Sequence, residues 1–241
     1  MDSNDLFDLN TNVAVVTGGN GGIGRSLALG FARAGAAVAI VGRDEDKNQR
    51  VLGELQEIGR PAMALCIDLT HRDRLEPAMQ QIESTLGPVN TLVNNAGIVS
   101  LSGGILQESP DDWDRVIETQ LNSVFLMSKV AAGRMKDRSA GKIINIGSMY
   151  SYFGSGLIPS YSAAKGAIVQ LTKSMAIDFL RPLATGEEVK VEGRVHDLVG
   201  DREAVMAGVI YGPDGQPVAR STGEFRLFSM ESLRRRGNLD D

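Results

Sequence analysis

Short unbroken apolar runs alternate along this chain with longer stretches of helical spacing. Val13-Ala-Val-Val-Thr17, Ala37 to Val41, Ala62 to Ile67, Thr91-Leu-Val93 and Lys142 to Ile146 read as strands buried on both faces. Between them, Arg25 to Ala34, Asp44 to Ile58 and Arg72 to Leu86 read as helices, the last two ending at Gly59 and Gly87. Asp111 to Met135 reads as one long helix. A further helix opens at Pro159, suited to a first turn, and carries Ile168, Leu171 and Met175 along one stripe. Strands alternating with helices predict a parallel sheet covered on both sides. Right-handed crossovers make it doubly wound, with ligands outside the carboxyl ends of the strands.

From Glu187 the period changes. Val189, Val191, Gly193 and Val195 alternate with Lys190, Glu192 and Arg194, which is strand spacing. Ala204 to Tyr211 is a second strand-like run, Gly212-Pro-Asp-Gly215 a turn, and Val218 to Phe228 alternates again. Three strands with short connections predict an antiparallel meander, foreign to a doubly wound sheet.

The 241 residues, 42% hydrophobic, suffice for one large domain or a medium and a small one. No apolar run approaches the roughly 18 residues a membrane span needs, and Met1 to Asn12 is acidic and polar, unlike a signal peptide. A net charge of −5 argues against a nucleic-acid partner. The single cysteine, Cys66, suits a reducing cytoplasm and, inside an apolar run, is expected to be buried. His71 and His196 stand apart with no Cys or His cluster around them, so no metal site is expected.

Every polar motif follows a predicted strand end: Thr17-Gly-Gly-Asn-Gly-Gly-Ile-Gly24, Gly42-Arg43, Asp68, Asn94-Asn-Ala-Gly97 and Ser148. The first is a glycine-rich turn between strand and helix, where bare backbone can approach a pyrophosphate and helix N–H groups attract its charge. Gly42 offers no carboxylate to ribose hydroxyls, while the Arg43 guanidinium suits a 2′-phosphate; this favours NADP over NAD. Tyr161 and Lys165 are four apart and share a helix face. A nearby ammonium favours phenolate, which makes Tyr161 a candidate base. An amphipathic helix whose tyrosine and lysine face water is the plainer alternative.

The set TGGNGGIG at 17–24, Asp68, NNAG at 94–97, Asn122 in TQLNSVF, Ser148 and YSAAK at 161–165 resembles the short-chain dehydrogenase/reductase family over about residues 7–181. The resemblance implies a Rossmann-type doubly wound α/β domain (1–181), a nicotinamide cofactor, NADP or NAD, and hydride transfer between an alcohol and a carbonyl. It implies that Tyr161 is the acid/base, that Lys165 favours its phenolate and holds the nicotinamide ribose, that Ser148 binds the substrate oxygen and that Asn122 holds a relay water. Gly18, Asn20, Gly22, Ile23 and Gly24 would then cradle the pyrophosphate, Arg43, Asp68 and Leu69 the adenosine, and Asn95, Ala96 and Gly97 the cleft. A homo-oligomer, dimer or tetramer, built on the helices containing Asn122 and Tyr161 is also implied. Around Ser148 to Thr172 the chain looks most like members acting on sugars and sugar acids.

The family's closing strands, Pro-Gly turn and last helix are not recognisable. Instead residues 182–241, with likeness from about Ile177, resemble the closing strands of hotdog-fold acyl-CoA thioesterases through EEVKVEGRV and GQPVARSTGEFRLF. Two other functions therefore stand beside the oxidoreductase: an NADP-binding protein with little turnover, and acyl-CoA binding through the tail.

Overall fold

The computed structural model describes residues 8–138, 140–175, 177–179, 190–199, 203–211 and 213–226. The chain divides into two compact units, residues 1–169 and 170–241. The motif pattern places the change near 181–182; compactness places it after Val169, inside a helix.

In the first unit, β1 (Val13–Thr17), β2 (Ala37–Gly42), β3 (Ala62–Cys66), β4 (Thr91–Asn94) and β5 (Lys142–Asn145) form one sheet in the order β3-β2-β1-β4-β5. All its pairings are parallel. β1 and β2 are buried at every position, the pattern of a sheet covered on both faces. Helices α1 (Gly22–Arg33) and α2 (Glu45–Glu57) pack one face through Ala28, Leu29, Val51 and Leu55. Helix α3 (Arg72–Leu86) packs the other through Leu75, Met79 and Ile82. Asp44 caps α2 by accepting from the Lys47 N–H at 3.0 Å. The order reverses between β1 and β4, so their carboxyl ends flank the crevice expected of this topology.

Two expectations are corrected. Residues 111–135 are not one α-helix: α4 (Pro110–Ile117) passes through a π-helical turn, Glu118–Asn122, into α5 (Ser123–Asp137). The turn adds a residue to the coil and changes which side chains face inward. Cys66 is exposed, not buried, because it ends β3 at the sheet edge, where its thiol donates to the Arg43 carbonyl at 3.4 Å.

Helix α6 (Pro159–Met175) follows β5 and crosses the unit boundary. In the second unit β6 (Ile177–Phe179), β7 (Lys190–Val199), β8 (Glu203–Tyr211) and β9 (Pro217–Arg226) pair antiparallel in the order β6-β9-β8-β7. Gly215, at φ +71°, supplies the left-handed residue of the turn between β8 and β9.

Candidate active site

The glycine turn and the segment after β4 are built as one piece. The Thr17 hydroxyl donates to the Val93 carbonyl at 3.3 Å and accepts the Asn95 and Ala96 N–H groups, each at 3.0 Å. Asn95 returns its amide to the carbonyls of Thr17 (3.0 Å) and Gly18 (3.3 Å). A Cβ on Gly18, which has φ +63°, would lie 2.9 Å from the Ala96 Cα. One on Gly24 would run into the Gly18 carbonyl. Space there is reserved for bare backbone.

Helix α1 begins immediately beyond, with Gly21 giving no side-chain cap and no acidic residue in the first turn. Its leading N–H groups therefore remain for an anion. Gly18, Asn20, Gly42, Arg43, Asp68, Leu69, Ala96 and Gly97 line one cavity of about 150 Å³ beside it. Gly22, Ile23 and Gly24 stand at the opening of α1, and Ile23 is exposed. A dinucleotide fits this cradle: glycine backbone for the phosphates, a free helix start, and a cavity at the ends of β2 and β3.

At the outer end of that cavity the Arg43 guanidinium lies 3.5 Å from the Asp68 carboxylate. Partial burial works to raise the Asp68 carboxyl, but the Thr70 N–H and hydroxyl, with Arg43, outweigh it and hold it below the usual carboxylate range. The pair is long and half exposed, so Arg43 can leave it at little cost. Behind Gly42, the fully buried Asn48 donates to the carbonyls of Gly42 (3.1 Å) and Leu65 (3.3 Å) and accepts the Asn20 amide at 2.8 Å. A Cβ at position 42 would collide with the Asn20 side chain, so any larger residue at the end of β2 requires Asn20 to turn away from Asn48.

The second polar group gathers where β5 ends and α6 begins. Lys165 is 5% exposed; its ammonium donates to the Ile146 carbonyl at 2.7 Å and lies 5.8 Å from the centre of the Tyr161 ring. Burial pushes its pKa down from the ordinary lysine value. Tyr150 meets the Tyr161 ring edge-on, with centres 6.2 Å apart. Ser148 opens a 3-10 turn, Met149–Ser151, accepting the Tyr150 N–H at 3.2 Å while its own N–H reaches the Ser151 hydroxyl at 3.1 Å. Its hydroxyl proton remains to be donated outward. Tyr161 and Lys165 thus stand on one face of α6, Tyr150 bridges back to the Ser148 turn, and the water-facing alternative for Lys165 is corrected by its burial.

Asn122 closes the π-helical turn between α4 and α5. Its amide donates to the Glu118 carboxylate, which also takes the Arg72 guanidinium at 3.0 Å. Asn122, ahead of Arg72, holds the Glu118 carboxyl below the usual range. In the same turn Gln120 is buried, its Nε2 donates to the Ile98 carbonyl at 2.6 Å, and its Oε1 has no partner. A Cβ on Gly97 would sit 2.6 Å from that amide. Asn94 is likewise structural, donating to Asn145 (2.8 Å) and Ser128 (2.9 Å).

Glu108, 52 residues from its partner in sequence, was invisible to motif reasoning. Its carboxylate accepts the Ser160 N–H at 3.1 Å and the Ser160 hydroxyl, one residue before Tyr161. An anion there also suits the positive end of α6. Replacing Glu108 by Ala is expected to lower stability by about 1–2 kcal/mol through loss of a charge-assisted cap. Urea unfolding of Glu108→Ala and Glu108→Gln checks it, with the isosteric Gln expected to recover part of the loss.

Among curated relatives, the 2-dehydro-3-deoxy-D-gluconate 5-dehydrogenase of Formosa agariphila is 35% identical over 178 residues, 73% of this chain and 67% of that protein. The 3beta-hydroxysteroid dehydrogenase of Mediterraneibacter gnavus is 34% identical over 167 residues, 69% of this chain and 60% of that one. A crystal structure of a short-chain type dehydrogenase/reductase from Mycobacterium marinum matches with a TM-score of 0.70 at 36% identity, covering 73% of this chain and 72% of that one. The thioesterase likeness of the tail finds no support in these comparisons. A sequence profile described as short chain dehydrogenase spans residues 12–183, so the glycine cradle, the crevice and the Tyr161–Lys165 face all fall inside it, and the chain belongs to the short chain dehydrogenase family.

Proposed function

We propose that the chain is an NADP-linked oxidoreductase that interconverts a secondary alcohol and a carbonyl. The observation that carries the reading is the buried Lys165 ammonium beside the Tyr161 ring, on the helix that follows the strand adjoining the crevice. The glycine cradle and α1 would hold the pyrophosphate, Asp68 and Leu69 the adenosine, and Arg43 a 2′-phosphate. When bound, the nicotinamide supplies the acceptor or donor of the reducing equivalent. Tyr161 holds the hydroxyl proton and moves it to or from the substrate oxygen. Ser148 orients that oxygen by donating its own proton. Lys165, with one proton on Ile146 and two remaining, stabilises the phenolate and offers hydrogen bonds to ribose hydroxyls. The relay role implied for Asn122 is not part of this reading.

The relatives named for gluconate derivatives make a sugar acid one candidate substrate; the steroid dehydrogenase, at similar identity, makes an apolar alcohol another. The antiparallel strands after residue 183 are read as a replacement of the family's closing elements, and a homo-oligomer on α5 fits the exposed Phe125.

NADP preference is read from Arg43 and from Gly42, which presents no carboxylate to a ribose hydroxyl. Arg43→Ala is expected to weaken NADPH binding by about 10- to 100-fold, the loss of charge-assisted bonds to a phosphate. NADH binding should change little. Calorimetry with both cofactors checks it, and equal losses for the two would refute the assignment of Arg43 to the 2′-phosphate.

A further inference from the structure

The two loops that ring the first turn of α6 run from Ile98 to Ser109 and from Gly147 to Ile158. They are fastened to each other and to that turn. The Ser102 hydroxyl reaches the Leu157 carbonyl at 3.5 Å, the Ser155 N–H reaches the Ser162 hydroxyl at 3.3 Å, and Glu108 holds Ser160. Through Ser160 and Ser162 both loops are tied to the residues on either side of Tyr161.

Their chemistry is one-sided. Neither loop contains a lysine or arginine, and the one ionisable side chain besides tyrosine is Glu108, an anion. Several serine hydroxyls are taken up internally: Ser102 by Leu157, Ser155 by the Leu157 N–H at 3.3 Å, and Ser151 by the Ser148 N–H at 3.1 Å. Apart from Gln107 and Ser109, the large side chains turned to solvent are apolar or aromatic: Leu101 is 81% exposed, Leu106 90%, Tyr152 77% and Phe153 67%, with Ile105 and Met149 also exposed. Lys165 cannot serve as the missing cation, being buried against Ile146 and Tyr161.

We infer that the substrate is an uncharged ketone or secondary alcohol with apolar flanks, not a sugar acid. An aldonate carboxylate entering between these loops would lose water, gain no cation and face Glu108. An alkyl or ring flank would instead cover exposed leucine and phenylalanine surface, where each added methylene in contact is worth about tenfold or more in specificity. The inference rests on the oxidoreductase reading above for the reaction, and on the loops alone for the class of molecule. Proton and electron balance are those of that reading: the ketone takes two electrons and two protons to become the alcohol as NADPH becomes NADP.

The test compares NADPH-dependent reduction of 2-octanone and 5-keto-D-gluconate by the full chain. A kcat/KM at least tenfold higher for 2-octanone is expected, and equal or higher efficiency on 5-keto-D-gluconate overturns the inference. Leu101→Arg, on an exposed side chain, is expected to shift that ratio at least tenfold toward 5-keto-D-gluconate; an unchanged ratio counts against the loops as the discriminating surface. Calorimetry with NADP-saturated Tyr161→Phe protein separates the two ideas, since it needs no turnover. If 2-octanol binds, D-gluconate does not, and Leu101→Ser with Phe153→Ser abolishes the binding, the substrate class stands even where the wild type proves inactive. Binding of D-gluconate alone, or of neither, refutes it.

Discussion

Tyr161→Phe is expected to lower kcat by about 10²- to 10⁴-fold, the range that a positioned general acid/base supplies. The substitution removes one oxygen and leaves the ring that meets Tyr150 edge-on and faces the Lys165 ammonium. Packing around the first turn of α6 should therefore survive, and so should the unfolding midpoint in urea. The glycine cradle and the Arg43–Asp68 end belong to other elements, so NADPH affinity should change little. Kinetics, calorimetry and denaturation on one preparation check all three outcomes. A variant retaining most of its turnover would remove Tyr161 from the chemistry. A variant with normal kcat but lost NADPH binding would make it a cofactor ligand only.

The crevice was legible because its signals are local and physical. β1 and β2 are continuous apolar runs, and Gly18 and Gly24 are glycines because a Cβ would meet backbone. Tyr161 and Lys165 share a face because helical spacing puts positions four apart together. The π-helical turn was not legible: one extra residue in a helix changes neither composition nor apolar spacing enough to be seen, yet within it Gln120 is buried against the Ile98 carbonyl and Asn122 bonds back to Glu118. Asn48 reads in sequence as an ordinary polar helix residue, and only the approach of Asn20 reveals it as the support of Gly42. Glu108 and Ser160 are joined by long-range packing that no motif encodes. The exposure of Cys66 follows from β3 lying at the sheet edge, a matter of strand order that an apolar run does not disclose.

The buried ammonium gives the second large expected effect, and stability and activity should move in opposite senses. Lys165 carries a charge at 5% exposure with the Ile146 carbonyl as a neutral acceptor and the Tyr161 ring nearby. Burial disfavours the charged form, which is why its pKa is depressed. Methionine has similar length and no charge to desolvate, so Lys165→Met should hold stability or raise it. Turnover should fall by about 10²-fold or more, because the fixed positive charge beside Tyr161 is gone. The pH dependence supplies a further sign. In the window between the depressed native pKa and the ordinary lysine value near 10.4, the unfolded chain holds the proton that the folded chain has released. Unfolding free energy attributable to this group therefore rises with pH through that window, and is lower by the full desolvation penalty below it. Urea unfolding of wild type and Lys165→Met at several pH values isolates the difference, since the charged groups away from Lys165 are common to both. A variant as much as several kcal/mol less stable than wild type at neutral pH would mean that Lys165 is held by more than the Ile146 carbonyl and the ring, and the buried-charge account of this site would fail.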